Sequence, residues 1–498
     1  MVHAEVSDRL GPLDTLFLYI EKKEMPLHIG SVFTFDGPIS TGELKALIET
    51  KLPLIPRYRQ RIVFPPLNVG YPTWEWDPDF DIDRHISHKR IKPGTMQSLE
   101  ALAGQLYSQI MDRNRPLWDL TVVDGLRGGR SALIARVHHC LVDGIAGIAL
   151  MNLVFDTSPG AVRSPRKRSF HPPQPPAAET SLLDAAVSSS FHAVDRILAM
   201  QSAALDVAGE TLLDAMSAAL VPPLTAVPGQ FRPLDPFPFK APALGPRSVS
   251  WTEFSLAEVK AIKNALGVKV NDVLLMALAG AMHRYAKIHK LAVKGRVLRL
   301  MVPVNLRSPE QNGTGNRISL VPVNLPLDVG DPIKLLRVAH ERSEALKHAH
   351  VADLVVLGGT LLAMMPIPVQ AVLTGALSNT VPVLPFDMVC TNVTGPQSPL
   401  YLLGRKMLTY YPYVPIGDFM GVCCAMISYN GRLYFGLTGD CACAPDLSLL
   451  RDFLQEALVE LAERSGCCAP RRVVQRTVKS GMADAPTKIL PNARVVAK

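Results

Sequence analysis

The chain has 498 residues, of which 48% are hydrophobic, and a formal net charge of +8. This length exceeds what one hydrophobic core usually organises, so two domains are expected. A basic chain suits an anionic lipid surface, a nucleic acid or an anionic ligand. No nucleic-acid-binding module and no interleaving of basic with aromatic residues is present, so no nucleic-acid partner is expected. The first ten residues lack the apolar core of a signal peptide, which predicts a cytoplasmic protein.

Residues 1–160 are predicted to form a first α/β domain. Ser40 and Glu43 have the spacing of a capping box, which indicates a helix start at Thr41. Gly128-Gly129 provides a turn between two short apolar strands. The predicted elements are helices over Thr41–Leu52, Met96–Met111 and Ile145–Phe155, and strands over Leu120–Val123 and Ala132–Ala135.

Residues 161–246 are predicted to be a Pro-rich linker and a helical crossover between two domains. The first part is rich in proline and basic residues, a composition that does not pack into a core. An alanine-rich helix is predicted from Leu182 to Leu220. The eight prolines of residues 222–246 then predict an extended segment.

A second α/β domain is predicted over residues 247–468, followed by a basic, disordered tail over 469–498. Ser255 is expected to cap a helix that ends at Gly267. Asn271-Asp272 is expected to open an apolar helix after a short strand. Further elements are a strand from Leu298 to Pro303, a helix from Asp331 to Ala349, and a hairpin of Cys423–Tyr429 with Leu433–Leu437 that turns at Asn430-Gly431.

A long segment from Leu354 to Phe386 carries no charged residue. Its length would allow a membrane span, but four prolines interrupt it. Three alternatives stay open: a membrane span, a buried helix pair, and an amphipathic patch that enters a lipid surface.

The most informative pattern is His138-His139-Cys140-Leu141-Val142-Asp143-Gly144, which follows a predicted strand. A histidine at a strand end can take a proton near neutral pH, and Asp143 can brace the turn that presents it. Gly144 permits backbone angles that other residues resist. Adjacent histidines could also be a solvated or metal-binding pair, but further ligands at metal-site spacings are missing, so no metal site is expected. The pattern therefore predicts a general base in a rigid turn.

The His-His-x-x-x-Asp-Gly pattern resembles the active-site motif of the CoA-dependent acyltransferase superfamily, and most closely the bacterial wax ester synthase/diacylglycerol acyltransferase family. The resemblance covers residues 10 to 465, and the order of several short motifs makes it specific. The other motifs are Leu13–Leu18 with Glu21 and Met25–Gly30, Phe80–Ile86, Arg115–Trp118, Asn271-Asp272 and Thr391–Pro396.

This resemblance implies an α/β (α+β) fold of two chloramphenicol-acetyltransferase-like domains with the active site at their interface. It implies transfer of a long-chain fatty acyl group from acyl-CoA to diacylglycerol or a long-chain alcohol, without an acyl-enzyme. His139 would be the general base that activates the hydroxyl. No cofactor is implied, because acyl-CoA is a substrate.

The resemblance also suggests roles for the neighbouring motifs, each beside a structural alternative. His138 would orient the motif or line the tunnel, and Asp143 would pair with an arginine and hold the turn with Gly144. Asn271 and Asp272 would contact substrate or oxyanion, or simply cap a helix. Pro116, Leu117 and Trp118 would shape a substrate pocket, or form a corner with a core tryptophan.

Several other residues carry weaker expectations. The eight cysteines are expected to be free thiols that mostly fill apolar space, and Cys140 is not expected to be a nucleophile. Arg307 and Arg317 are candidates for the CoA phosphates or solvated loop charges.

Competing functions are another CoA-dependent acyltransferase with a different hydroxyl or amine acceptor, and an inactive relative that binds lipid bodies. A lipase is not indicated, because Gly-x-Ser-x-Gly is missing. The expected partners are long-chain acyl-CoA, the acceptor lipid and a membrane or lipid-droplet surface. A cytoplasmic protein, peripherally associated with the inner face of the cell membrane and with lipid bodies, is expected.

Overall fold

The structure is a computed structural model of the chain. Its description covers most of both predicted α/β domains. The described residues are 9–65, 71–141, 147, 150–151, 153–160, 245–305, 318–348, 387–417 and 420–467.

Seven helices and fourteen strands are described, apart from short 3-10 turns. The helices are α1 Pro12–Ile20, α2 Thr41–Lys51, α3 Met96–Tyr107, α4 Leu256–Leu266, α5 Val270–Ile288, α6 Pro332–His348 and α7 Leu447–Arg464. The strands of the first half are β1 His28–Phe35, β2 Gln60–Val63, β3 Thr73–Trp76, β4 Ile86–Arg90, β5 Trp118–Asp124 and β6 Ser131–His138. Those of the second half are β7 Arg247–Ser255, β8 Val297–Asn305, β9 Ile318–Pro326, β10 Met388–Thr394, β11 Tyr401–Leu402, β12 Arg405–Tyr413, β13 Val422–Tyr429 and β14 Arg432–Asp440.

Two six-stranded sheets organise the molecule. The N-terminal sheet has the order β11-β12-β1-β6-β5-β4, and the C-terminal sheet has the order β7-β14-β13-β10-β8-β9. In the N-terminal sheet, β1 lies antiparallel between β12 and β6 and pairs His28 with His138. In the C-terminal sheet, β10 runs parallel to both β8 and β13. The end of β6, at the histidine motif, therefore lies between paired backbone of β1 and β5.

Strands β11 and β12, over residues 401–413, cross from the second half of the chain into the N-terminal sheet. This segment belongs to the second half by sequence, yet β12 pairs with β1 in the N-terminal sheet. Met407 and Tyr410 are buried in the same core as Phe33 and Leu133. Consecutive elements usually pack together, and here the antiparallel pairing of β12 with β1 overrides that tendency.

The two sheets also approach each other closely. A Cβ on Gly436 of β14 would stand 1.8 Å from the carbonyl oxygen of Pro412 of β12, so only glycine fits at this contact. Trp251 of β7 stacks on Tyr411 of β12 with ring centroids 4.9 Å apart. Helix α3 adds a bridge, because Glu100 accepts a hydrogen bond of 2.8 Å from the Trp251 backbone N–H.

Most local predictions from turn and cap residues are confirmed. Ser40 and Ser255 cap α2 and α4, and Gly267 ends α4 in the left-handed conformation. Asn430 and Gly431 both have positive φ at the β13–β14 hairpin. The first exception is α3, which ends at Tyr107 rather than Met111.

The second exception is the short strand expected before Asn271. The structure joins α4 directly to α5 with Lys269 as the N-cap, because Asp272 accepts the Lys269 backbone N–H at 3.0 Å.

Within the described ranges, no single helix has the length and composition to cross a bilayer. Helices α4 and α5 together have that length and composition, but the pair is bent by 100° between them. Helix α5 is largely buried in the C-terminal core. The predictions for Leu354–Phe386, Leu182–Leu220, most of Ile145–Phe155, the linker and the tail over 469–498 lie outside the described residues.

Candidate active site

The two histidines of the motif face opposite sides of the N-terminal sheet. Side chains alternate along a strand, so neighbours at the end of β6 point to opposite faces. His139 is half-buried and lines a cavity, whereas His138 is fully buried on the other face. The ring of His139 stacks on Phe17 of α1 at 4.2 Å between centroids, and its backbone N–H donates to the Leu27 carbonyl at 3.0 Å. Helix α1 and the segment before β1 thus hold His139 in place.

His138 is oriented by a buried carboxylate. Its Nε2 lies 3.3 Å from Oε1 of Glu21, a side chain that is only 2% exposed. Its Nδ1 accepts the backbone N–H of Cys140 at 3.2 Å. Because Nδ1 accepts this bond, the ring carries its proton on Nε2, facing Glu21. The ring therefore ties α1 to the turn that carries His139.

Glu21 is ionised in this position. Burial by itself would raise its pKa, but interactions with His138, the Leu27 backbone N–H and Arg113 outweigh burial and lower the pKa to about 2. The Leu27 N–H donates to Oε1 at 2.9 Å, and Arg113 pairs with Oε2 at 3.0 Å. A carboxylate with this many donors can stay charged inside the protein.

Asp143 and Gly144 lie outside the described residues, so their predicted roles stay predictions. The strand before them contains another buried ion pair. Arg136 binds Asp119 of β5 through two hydrogen bonds of 2.9 and 2.6 Å and also donates to the Leu106 carbonyl. This paired arginine braces β6 from the adjacent strand.

The Pro116-Leu117-Trp118 motif forms a buried corner, and its tryptophan also lines a cavity. Trp118 starts β5 and is 5% exposed, and its Nε1 donates to the Tyr58 carbonyl at 2.8 Å. Its ring stacks on His85 at 4.4 Å and also lines the cavity. Leu117 is buried, and its carbonyl accepts the backbone N–H of His138 at 2.9 Å. The motif therefore forms a buried corner that supports β6. Of its three residues, Trp118 lines the cavity.

An apolar cavity of about 500 Å³ lies beside His139. Residues of both halves line it, including strands of both sheets. The N-terminal side contributes Phe33, Leu133 and Trp118, and the C-terminal side contributes Met301, Asn392 and Ala425. Its volume and apolar walls are those of a small-molecule site for a ligand with a large hydrocarbon part.

Asn271 and Asp272 do not line this cavity. Asp272 is 1% exposed and accepts hydrogen bonds from the Lys269 backbone N–H and from His340 Nδ1, the latter at 2.7 Å. Of the two roles left open for Asp272, the structure shows the cap: Asp272 caps α5 and ties it to α6. Asn392, from the Thr391–Pro396 motif, does line the cavity. Among the described residues, it provides the side-chain amide of the lining.

The described cysteines are free thiols, as predicted, and Cys140, Cys390, Cys423 and Cys424 are buried. Burial raises the pKa of the Cys140 thiol well above its usual range, and the side chain does not line the cavity. A protonated, enclosed thiol is a poor nucleophile. Across the described ranges, no cluster of three or more His, Cys, Asp or Glu could hold a metal ion.

Comparison with known proteins identifies the family. The model for the wax ester synthase/diacylglycerol acyltransferase catalytic domain matches residues 10–274. The chain belongs to this family. A second model, the WS/DGAT C-terminal domain, matches residues 314–462. Arg307, in the interval between the two, lies outside the described residues, as does Arg317.

Curated relatives from Mycobacterium tuberculosis match this acyltransferase along most of its length. The probable diacylglycerol O-acyltransferase tgs2 is 32% identical over 92% of this chain and 100% of its own. The probable diacylglycerol O-acyltransferase tgs1 is 30% identical over 91% of this chain and 96% of its own.

Solved structures confirm the predicted fold. The wax ester synthase/diacylglycerol acyltransferase from Marinobacter aquaeolei VT8 aligns with a TM-score of 0.65 at 25% identity, covering 92% of this chain and 100% of that one. The first condensation domain of the calcium-dependent antibiotic synthetase aligns with a TM-score of 0.58 at 15% identity, covering 93% and 98%. Both support the two-domain, chloramphenicol-acetyltransferase-like architecture.

The residues that hold the two histidines are not predicted by the sequence. Phe17 and Glu21 stand there only as part of an N-terminal signature, without roles. Their distance from His139 along the chain hides the contact, which depends on α1 packing across the end of β6. The usable signal is an acidic residue, Glu21, directly after the apolar run Leu16–Ile20, because a carboxylate that becomes buried needs a partner.

Proposed function

We propose that this protein transfers a long-chain fatty acyl group from acyl-CoA to diacylglycerol, to a long-chain alcohol, or to both, with His139 as general base. The observation that carries the proposal is His139 held at the end of β6 against the wall of an apolar cavity shared by both halves. Family membership supports acyl transfer, and the cavity suits a hydrocarbon chain. Acyl-CoA is a substrate here, and no resident cofactor is proposed.

In the proposed mechanism, His139 takes the proton of the acceptor hydroxyl as the oxygen attacks the thioester carbonyl carbon. The C–O bond forms and the carbonyl π electrons move to oxygen, giving a tetrahedral oxyanion. The intermediate collapses by breaking the C–S bond, and protonated His139 returns the proton to the CoA sulfur. The ester and free CoA are the products, and the histidine ends in its starting state.

The oxyanion needs a hydrogen-bond donor, a contribution worth about 10²–10³ in rate for one donor. We assign this role to Asn392 rather than to Asn271, because Asn392 lines the cavity. Its neighbour Thr391 is in the same lining and the same parallel strand β10. A rigid strand suits this task, since a preorganised donor need not reorganise during the reaction.

We further propose that the protein works in the cytoplasm at the inner face of the cell membrane and on lipid bodies. The proposed acceptors partition into lipid, and the net charge of +8 favours anionic bilayers. Co-sedimentation with vesicles containing an anionic lipid, compared with neutral vesicles, tests this. Equal recovery in the supernatant with both vesicles would contradict peripheral binding.

The central test is acceptor-dependent release of CoA from palmitoyl-CoA, offered with dipalmitin or hexadecanol. The purified protein is compared with His139→Ala and with His88→Ala, a matched control because His88 is an exposed histidine on β4 of the same sheet. We expect release with at least one acceptor, retained in His88→Ala and lost in His139→Ala.

The other outcomes separate two alternatives. Acceptor-dependent release that persists in His139→Ala would overturn the assignment of the base while leaving the acyltransferase activity intact. No release with either acceptor, together with vesicle binding, would indicate an inactive lipid-binding relative.

A further inference from the structure

One face of the N-terminal sheet forms a continuous apolar path that begins at His139. Alternate residues of β6, namely Val137, Ala135 and Leu133, line the cavity below His139. Because side chains two apart share a face, these residues form successive layers along the strand. The path therefore runs along the strand direction, away from the proposed base.

Neighbouring strands add residues at the same layers. By register, Ser31 of β1 lies beside Ala135, and Phe33 lies beside Leu133. Tyr410 of β12 lies beside Phe33 on the other side. All of these residues line the cavity, whereas Ser131 and Phe35, one layer further on, do not. The path thus ends at the layer of Leu133, Phe33 and Tyr410.

Three aromatic rings close that end. The ring centroid of Phe33 lies 4.8 Å from that of Tyr410 and 5.2 Å from that of Phe155. Each of the three side chains is less than 8% exposed. By contrast, the middle layer has the small side chains of Ala135 and Ser31 at its centre, between Leu120 and Pro412.

The length of the path matches a common fatty acyl chain. Leu133 is six residues from His139, and a strand rises about 3.3 Å per residue, giving a path of about 20 Å. An extended alkyl chain of C–C bonds near 1.5 Å advances about 1.3 Å per carbon, so about 15 carbons fit. The cavity of about 500 Å³ offers space for one such chain, at about 30 Å³ for each water-sized group.

We propose that this face is a ruler for the acyl chain of the donor, with Ala135 keeping the middle open and Phe33, Phe155 and Tyr410 setting the end. The proposal rests on the proposed acyltransferase function and adds chain-length selection near sixteen carbons. The acyl chain is assigned because a closed path for one chain cannot hold diacylglycerol, which has two. The acyl chain of the donor is also the substrate chain that is present whichever acceptor is used.

The first test narrows the middle of the path with Ala135→Leu. Ala135 stands about 13 Å from His139, so an octanoyl chain ends before it and a palmitoyl chain must pass it. We expect kcat/KM for palmitoyl-CoA to fall by about 10- to 100-fold while that for octanoyl-CoA changes little. Retained octanoyl transfer also shows that the variant is folded.

Two comparison variants make the result specific. Ala101→Leu changes an exposed alanine of α3 in the same domain and should leave the ratio of palmitoyl to octanoyl transfer unchanged. Ala425→Leu narrows the same cavity from β13, in the other half, and shows whether that wall selects chain length instead of the β6 face. A shift of the ratio by Ala425→Leu and not by Ala135→Leu would overturn the ruler.

The second test opens the closed end with Phe155→Ala. We expect transfer of a 20-carbon acyl chain to rise relative to palmitoyl, with melting temperature as the check on folding. An unchanged acyl-CoA profile in both variants, with a shifted profile for alcohol chain length, would place the acceptor in the path and overturn the proposal. Absence of transfer with every chain length, in the unmodified protein as well, would instead defeat the proposed function.

Discussion

The two faces of the N-terminal sheet differ sharply although the same strands build both. The face that carries His139 is an apolar cavity wall, whereas the opposite face, called the polar face, has buried polar side chains at its His138 end and the apolar Val32 and Ile134 further along. Adjacent residues therefore have unlike surroundings, because the pleat sends neighbours to opposite sides. The motif thus combines the proposed base, His139, with a supporting residue, His138, on the other side of the same sheet.

The polar face is held by compensated charges. Glu21 pairs with Arg113 and contacts His138, and Arg247 pairs with Asp440 at 2.8 Å. His28 lies beside the stacked rings of Tyr107 and Tyr413, whose centroids are 3.7 Å apart and 5.8 and 5.7 Å from that of His28. These interactions stabilise the strand ends that carry His139, so we expect changes on this face to affect stability first.

A substitution of His139, on the cavity face, should lower activity more than stability. His139→Gln should lower kcat by about 10²–10⁴, the usual contribution of a general base. Because His139 is only half-buried, the melting temperature of the variant should change little. Single-turnover CoA release and calorimetry measure the two quantities. A large loss of stability with normal kcat would reverse the roles assigned to the two faces.

Glu21→Gln tests the polar face by stability. Removing the charge should cost about 3–5 kcal/mol, the usual penalty for breaking a buried ion pair, measured by urea unfolding at pH 7. Folding lowers the pKa of Glu21 from 4.5 to about 2. The unmodified protein therefore keeps this stabilisation above pH 4.5 and loses it as the pH falls toward about 2. The variant should lack this acid-dependent loss. Equal stability of both proteins at pH 7 would contradict the assignment.

His28 offers a smaller, pH-dependent test. Burial, followed by the charge of Arg136, lowers the pKa of His28 well below 6.5, so the folded protein holds the ring neutral. Unfolding then takes up a proton below pH 6.5, and stability should fall by up to about 1.4 kcal/mol per pH unit. His28→Phe should flatten this slope between pH 6.5 and 5. An unchanged slope would show that another group is responsible.

Substitution of Cys140, which directly follows the two histidines, should change activity the least. Its thiol is enclosed and lies outside the cavity lining, so Cys140→Ala should keep kcat within about threefold, because a buried thiol with a raised pKa is inert. Steady-state CoA release tests this directly. Loss of activity in a folded variant would restore the thiol as a nucleophile.

Local chemistry makes several features of this protein predictable from its sequence alone. Ser40, Ser255, Gly267 and Asn430-Gly431 act through their own backbone surroundings, so the caps and the hairpin turn are predicted at the correct residues. The histidine motif and its companions indicate the family and the two-domain fold, because their order along the chain is specific.

The tertiary structure alone decided which residues act together. Phe17 and Glu21 meet the two histidines only after α1 packs across the end of β6, and β12 leaves its own half of the chain to pair with β1. Asp272, for which substrate contact and helix capping were both open from the sequence, caps α5 and binds His340. Such contacts join residues far apart in sequence, and their energies depend on burial and orientation. Sequence therefore determined the elements and the chemistry of the motif, whereas packing decided its partners and the shape of the cavity.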